Sequence, residues 1–113
     1  MESGELFLAP FLYASLAEMK RRPVCIVSAQ SFNAGPDVVV AMVTSRATRR
    51  SDPGVGDVVI EDWRSAGLLA PSTVRSGRLQ SMEARLLDSR LGKLVEGDLT
   101  KVRAALRRVL ELD

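Results

Sequence analysis

Apolar residues in this chain alternate or gather in short runs for most of its length, and take up a helical period only near the end. Five segments, Glu5 to Leu8, Val24 to Ser28, Val38 to Thr44, Val58 to Ile60 and Thr73 to Met82, have the β-branched or every-other-residue apolar character of strands. Pro, Gly, Asn, Asp and Ser separate them, as turn chemistry requires. Strand starts roughly a dozen residues apart, with no helical stretch between them, predict a small antiparallel barrel rather than a parallel βαβ sheet. The segment Asp62-Trp63-Arg64-Ser65-Ala66-Gly67 predicts one helical turn, capped by Asp62 and ended at Gly67, with Trp63 as the apolar plug that holds it on the barrel. From Asp98 to Leu112 the residues Leu99, Val102, Leu106, Val109 and Leu110 fall on one stripe, with Lys101, Arg103, Arg107 and Arg108 largely opposite. This predicts an amphipathic C-terminal helix whose acidic start and basic end suit the helix dipole.

A length of 113 residues with 46% hydrophobic content is that of one globular domain spanning 1–113, large enough to bury a core without metal or disulfide staples. The single cysteine, Cys25, sits inside an apolar run and reads as a small buried hydrophobe, with no histidine to activate it. The opening MESGELFLAP has neither the basic start nor the apolar core of a signal peptide, and no apolar run approaches the ~20 residues that span a bilayer. A cytoplasmic protein with no membrane partner is expected.

The net charge of +2 is small, but its distribution is uneven. Lys20, Arg21 and Arg22 form one cluster, Arg46, Arg49 and Arg50 a second, and Arg75 with Arg78 a third. No acid lies between Val38 and Ser51, so the second cluster is locally unneutralised. These cations read either as solvated loop charges or as a footprint for phosphate.

The turn residues of QSFNAGPD make an antiparallel hairpin of the segments on either side. With the loop centred on Asn33, Ser28 faces Val38, Ile26 faces Val40, Val24 faces Met42 and, continuing outward, Arg22 faces Thr44. The first two basic clusters then lie at one end of one hairpin. Pro23 lacks an N–H, so it belongs at a strand's first residue, and it holds Arg22 extended. Lys20 and Arg21 fall in the turn before that strand. Arg22 beside the hydroxyls of Thr44 and Ser45 is either a surface arginine next to a β-propensity threonine or a fork and a neutral donor for a phosphodiester.

Histidine is absent, which removes Ser-His-Asp catalysis, histidine-based ribonuclease chemistry and most transition-metal sites. Gly54-Val55-Gly56 has no lysine after it and is no phosphate loop, and Glu61 with Asp62 adjoin a connector and read as caps. What remains is cation-driven phosphate chemistry. RNA supplies its own nucleophile in the 2′-OH, so arginines and hydroxyls that position the strand and stabilise the transition state provide much of the catalysis.

The stretches GELFLAPF, KRRPVCIVS, VVVAMVTS, GDVVIEDWRSAGLLAPSTVRSGRLQSME and RLGKLVEGDLTKVRAALRRVL, in this order over nearly the whole chain, resemble the MazF/PemK family of toxin endoribonucleases from toxin–antitoxin pairs. The resemblance implies a small SH3-like antiparallel barrel with a C-terminal helix, a homodimer, and a ribonuclease that needs neither metal nor cofactor. It implies cleavage of single-stranded RNA at short sequences to give 2′,3′-cyclic phosphate and 5′-OH ends, and inhibition by a cognate antitoxin. Matched motif by motif, it implies catalytic roles for Arg22, Thr44 and Arg75, and RNA contacts from Glu5 and Ser45. Lys20, Arg21, Arg46 and Arg78 are then the cations that guide the strand. Two departures stand out: Gly77 occupies the place where some members have an aspartate, and LYASLAEMK lacks the histidine and the glycines of many relatives. Two alternatives remain, a catalytically weak relative that binds RNA or antitoxin, and a gyrase poison similar to CcdB, whose Trp-Gly-Ile tail this chain replaces with Leu-Glu-Leu-Asp.

Overall fold

In the computed structural model, which describes residues 1–12 and 19–113, the chain runs β1 (Glu5–Leu12), β2 (Met19–Ile26), α1 (Gln30–Asn33), β3 (Asp37–Thr44), α2 (Thr48–Ser51), β4 (Asp57–Val59) and β5 (Thr73–Glu83). A 3-10 turn (Ala84–Leu86), β6 (Arg90–Lys93) and α3 (Glu96–Leu110) complete it. The strands form one curled antiparallel sheet in the order β4-β5-β3-β2-β1-β6, a half-barrel with α3 at its C-terminal end, as the strand spacing predicts. The segment LYASLAEMK, apart from its ends, lies outside the described residues. Among the described residues no helix is long and apolar enough to cross a membrane.

Alternation along β2 and β3 sends successive side chains to opposite faces. Cys25, Ala41 and Val43 join Leu6, Val58, Val74, Leu99 and Val102 in one apolar cluster, on which α3 and Trp63 pack. Val24, Ile26, Val38, Val40 and Met42 join Ala9, Phe11 and Met82 in a second. The hairpin register is the expected one, with Val24 opposite Met42 and Ile26 opposite Val40. Its loop is closed by Asn33, buried, whose Nδ2 donates to the carbonyls of Ser28 (3.0 Å) and Met1 (2.9 Å).

Three expectations change. Lys20 and Arg21 are not in a turn: β2 begins at Met19 and pairs with β1 as far as Leu12 opposite Met19, so Pro23 is a mid-strand residue opposite Leu8. A proline is tolerated there because of the side its nitrogen faces. The carbonyl of Ile26 accepts from Gly4 on the β1 side, while the amide of Val27 donates to Val39 on the β3 side. By alternation the nitrogen of Pro23 faces β3, and the β2–β3 ladder stops at Val24, one residue short of it. Second, one-turn helices α1 and α2 occupy connections read as plain loops; single turns are too short to show a hydrophobic period. Third, β6 was not expected, because Arg90-Leu91-Gly92-Lys93 is a four-residue edge strand with no alternation.

The connector after β4 keeps the expected cap and glycine, but forms hydrogen-bonded turns instead of a helical turn. Asp62 Oδ1 accepts from the Ser65 amide (3.2 Å), and Gly67 ends the turn at φ +87°. A Cβ there would stand 2.0 Å from the Leu91 carbonyl oxygen, so the approach of β6 to this turn requires glycine. Asp98, only 2% exposed, fastens α3 to the connector: its two carboxylate oxygens accept from the amides of Glu61 (3.1 Å) and Asp62 (3.0 Å).

Full burial pushes the Cys25 thiol up to about 12 from an ordinary value of 9.0, against a smaller opposing effect of a hydrogen bond from the Gly4 backbone. The unfolded thiol therefore ionises first as pH rises, and the folded state loses stability between about 9 and 12, by at most ~1.4 kcal/mol per pH unit. Urea melts of wild type and Cys25→Ala at pH 8 and pH 10.5 check this: the stability difference between them should shift in favour of the variant at the higher pH, and a constant difference contradicts the burial argument.

Candidate active site and basic surface

Arg22, Thr44 and Arg75 project from one face of the sheet, the face of the second apolar cluster. Residues opposed in an antiparallel ladder share a face. One row runs Val24–Met42–Arg75–Asp57 across β2, β3, β5 and β4. In the next row Thr44 opposes Thr73; the β2–β3 pairing ends at Val24 with Met42, and alternation along β2 puts Arg22 on the same face as Val24. Thr44 and Arg75 are thus diagonal neighbours on adjacent strands, with backbones roughly 7–8 Å apart. Arg22 is half-buried, with its Nε removed from solvent.

Thr44 is buried, and its hydroxyl oxygen accepts from the Arg46 amide at 3.2 Å. Among the described residues the hydroxyl donates to none, so its proton is available to an acceptor. Arg75 is held by Asp57: its Nε donates to Oδ1 at 3.1 Å, with side-chain exposures of 18% and 3%, so the carboxylate is buried and the arginine part-buried. Such a pair is costly to break on the arginine side, because Asp57 alone is a buried, unpaired charge.

The remaining predicted residues divide. Ser45 and Arg46 are exposed at the end of β3, beside Thr44, and Lys20 is exposed on β2 two residues from Arg22. Arg46, Lys20 and Arg78 make no ion pair with described residues. Arg78 lies on β5 in a bulge, Ser76 to Arg78, inserted where the register jumps from Arg75 opposite Met42 to Leu79 opposite Ala41. Gly77 in that bulge is exposed and brings no side chain to the site. Arg21 is committed to Asp88, in the segment that runs beside β1. Glu5 is not brought to the site: it sits at the other end of β1, where its carboxylate accepts from Arg90 Nε (3.1 Å) and from the Glu2 amide (2.8 Å).

Two residues escaped the sequence reading. Asp57 follows the Gly54-Val55-Gly56 turn, and only register places it beside Arg75; its sole local signal is an acid starting a β-branched run. Arg50, a member of the second basic cluster, donates through Nη1 to the carbonyls of Ser45 (2.8 Å) and Pro71 (3.0 Å). It fastens the segment after Thr44 to the strand-entry loop of β5, and has no local signal because its acceptors are backbone.

A family model described as the PemK-like, MazF-like toxin of type II toxin–antitoxin systems matches residues 2–110. No curated protein sequence matches the chain. Among solved structures, an endoribonuclease in complex with its cognate antitoxin from a mycobacterial species is 19% identical, covers 100% of this chain and 97% of its own, and superposes with a TM-score of 0.77. MazF from Deinococcus radiodurans is 23% identical over 98% and 96%, with a TM-score of 0.76. The Mycobacterium tuberculosis toxin MazF-mt6 is 20% identical over 95% and 98%, at 0.72. At these identities the structures establish a shared fold.

Replacing Arg50 by Ala removes two hydrogen bonds from a charged donor to the segment that positions Thr44 and Ser45. A loss of about 1–2 kcal/mol in unfolding free energy is expected, with faster amide exchange confined to residues 45–51; uniform exchange across the sheet would contradict the role given to this arginine.

Proposed function

Because the chain belongs to the family of PemK-like, MazF-like toxins of type II toxin–antitoxin systems, we propose that it is a sequence-specific, metal-independent endoribonuclease acting on single-stranded RNA, inhibited by a cognate antitoxin and working as a homodimer in the cytoplasm. The observation that carries the reading is the sharing of one sheet face by Arg22, Thr44 and Arg75 where β2 and β3 part. Solved proteins of the same fold support it, among them an endoribonuclease with its cognate antitoxin and a MazE–MazF pair.

In the proposed reaction the 2′-oxygen attacks the adjacent phosphorus as the bond from phosphorus to the 5′-oxygen breaks. The 2′-hydroxyl gives up its proton and the leaving oxygen gains one, leaving a 2′,3′-cyclic phosphate and a 5′-OH. Negative charge grows on the non-bridging oxygens, where fixed donors act most strongly. Arg22 offers a planar fork on a backbone stiffened by Pro23. Thr44 donates its hydroxyl proton to the same oxygens, and Arg75 adds a second guanidinium. With no histidine in the chain, neither proton transfer passes through imidazole. Lys20, Arg46 and Arg78, exposed and without ion pairs to described residues, steer the strand, while Arg21 contributes less because Asp88 neutralises it.

A second reading, a relative that binds RNA or antitoxin with little catalysis, is favoured by Gly77, which supplies no acid where some members have one. One assay separates the two. Purified protein incubated with a long RNA in EDTA should give defined cuts with cyclic phosphate ends, weakening steeply as salt rises; intact RNA supports the binder. With cleavage in hand, Arg22→Ala should lower the rate by on the order of 10²-fold with an unchanged circular dichroism spectrum, and near-normal cutting by the folded variant would sink the assignment.

A further inference from the structure

Resting on that ribonuclease reading, we infer that Asp57 is a positioning residue for Arg75: it grips the guanidinium by Nε and keeps the two terminal nitrogens as a fork for the scissile phosphate. Asp57 and Arg75 are directly opposed in the β4–β5 ladder, so the contact is set by register rather than by a chance meeting of long side chains. Each carboxylate oxygen has its own partner. Oδ1 accepts from Arg75 Nε at 3.1 Å, and Oδ2 accepts from the Gly54 amide at 2.9 Å.

The carboxylate takes one nitrogen of the guanidinium instead of two, while its other oxygen faces the Gly54 turn. A pair that served only to fasten β4 would be stronger in the parallel two-bond form that arginine and carboxylates favour. Here that form is forgone, and Nη1 and Nη2 make no hydrogen bond with any described residue. Those are the atoms that match two oxygens of a phosphate. The grip is itself anchored, because the Asp57 backbone leaves a turn pressed against the C-terminal helix: Gly56 has φ +89°, and a Cβ on it would lie 2.8 Å from Val109 Cγ2.

The test is a kinetic double-mutant cycle on RNA cleavage with wild type, Asp57→Asn, Arg75→Ala and the double variant. Asparagine keeps the shape and an acceptor for Gly54 but drops the charge that holds Nε. Asp57→Asn should lower kcat on the order of 10-fold with KM changed by less than about threefold, since positioning acts on the transition state more than on strand binding. In the Arg75→Ala background the same change should have no further effect, as expected of a residue acting wholly through another. A folded Asp57→Asn enzyme with wild-type kcat overturns the inference, as does a loss that persists undiminished without Arg75. Should Asp57→Asn fail to fold, Arg75→Lys carries the test: one ammonium nitrogen has no fork to spare, so kcat should fall as far as in Arg75→Ala, and wild-type kcat overturns the inference. Wild-type protein that cuts no RNA overturns the ribonuclease reading and this one together, a result seen before any variant is made.

Discussion

A missing amide hydrogen organises this molecule. Pro23 faces β3 with a nitrogen that cannot donate, and the ladder between the two central strands ends beside it. Below that point β2 and β3 are a continuous apolar sheet; above it each strand goes on with its outer neighbour, β2 with β1 and β3 with β5. Arg22 and Thr44 stand on the two sides of the parting. The polar site therefore begins where the sheet's own hydrogen bonding stops, and the apolar rows of Val24, Ile26, Val40 and Met42 are the floor that holds it.

Charge is divided with similar economy. Of the cations clustered in sequence, Arg21, Arg50 and Arg75 are engaged by Asp88, by two carbonyls and by Asp57 respectively. Lys20, Arg46 and Arg78 are exposed and make no ion pair with described residues. Exposed cations contribute little to stability, yet they raise the local concentration of a polyanion. Cations that pin loops and cations left open to solvent thus alternate along the same short segments, and a basic cluster in a sequence need not act as one.

Much of this was legible beforehand. The β2–β3 register followed from matching apolar residues across a loop centred on Asn33, because a slip of one residue would have turned both apolar sets to the wrong face. The Asp62 to Gly67 turn followed from its cap and its glycine. What escaped depends on partners distant in sequence. The start of β2 at Met19 is set by β1, whose apolar run continues to Leu12; nothing in KRRP itself signals a strand. Likewise Asp57 meets Arg75, and Glu5 turns to Arg90, only because of how β4, β5 and β6 are ordered in the sheet. Glu5 shows the converse hazard: a residue in the right motif can still stand at the far end of its strand.

The carboxylate of Asp98 joins two parts of the chain that no strand pairing connects. Lifting α3 from the sheet would take the Asp98 carboxylate with it and leave the amides of Glu61 and Asp62 without their acceptors. Neither part can open while the other stays in place, so the helix and the 61–67 connector form one cooperative opening unit. A protein that seizes the C-terminal helix thereby also takes hold of the turn against which β6 packs.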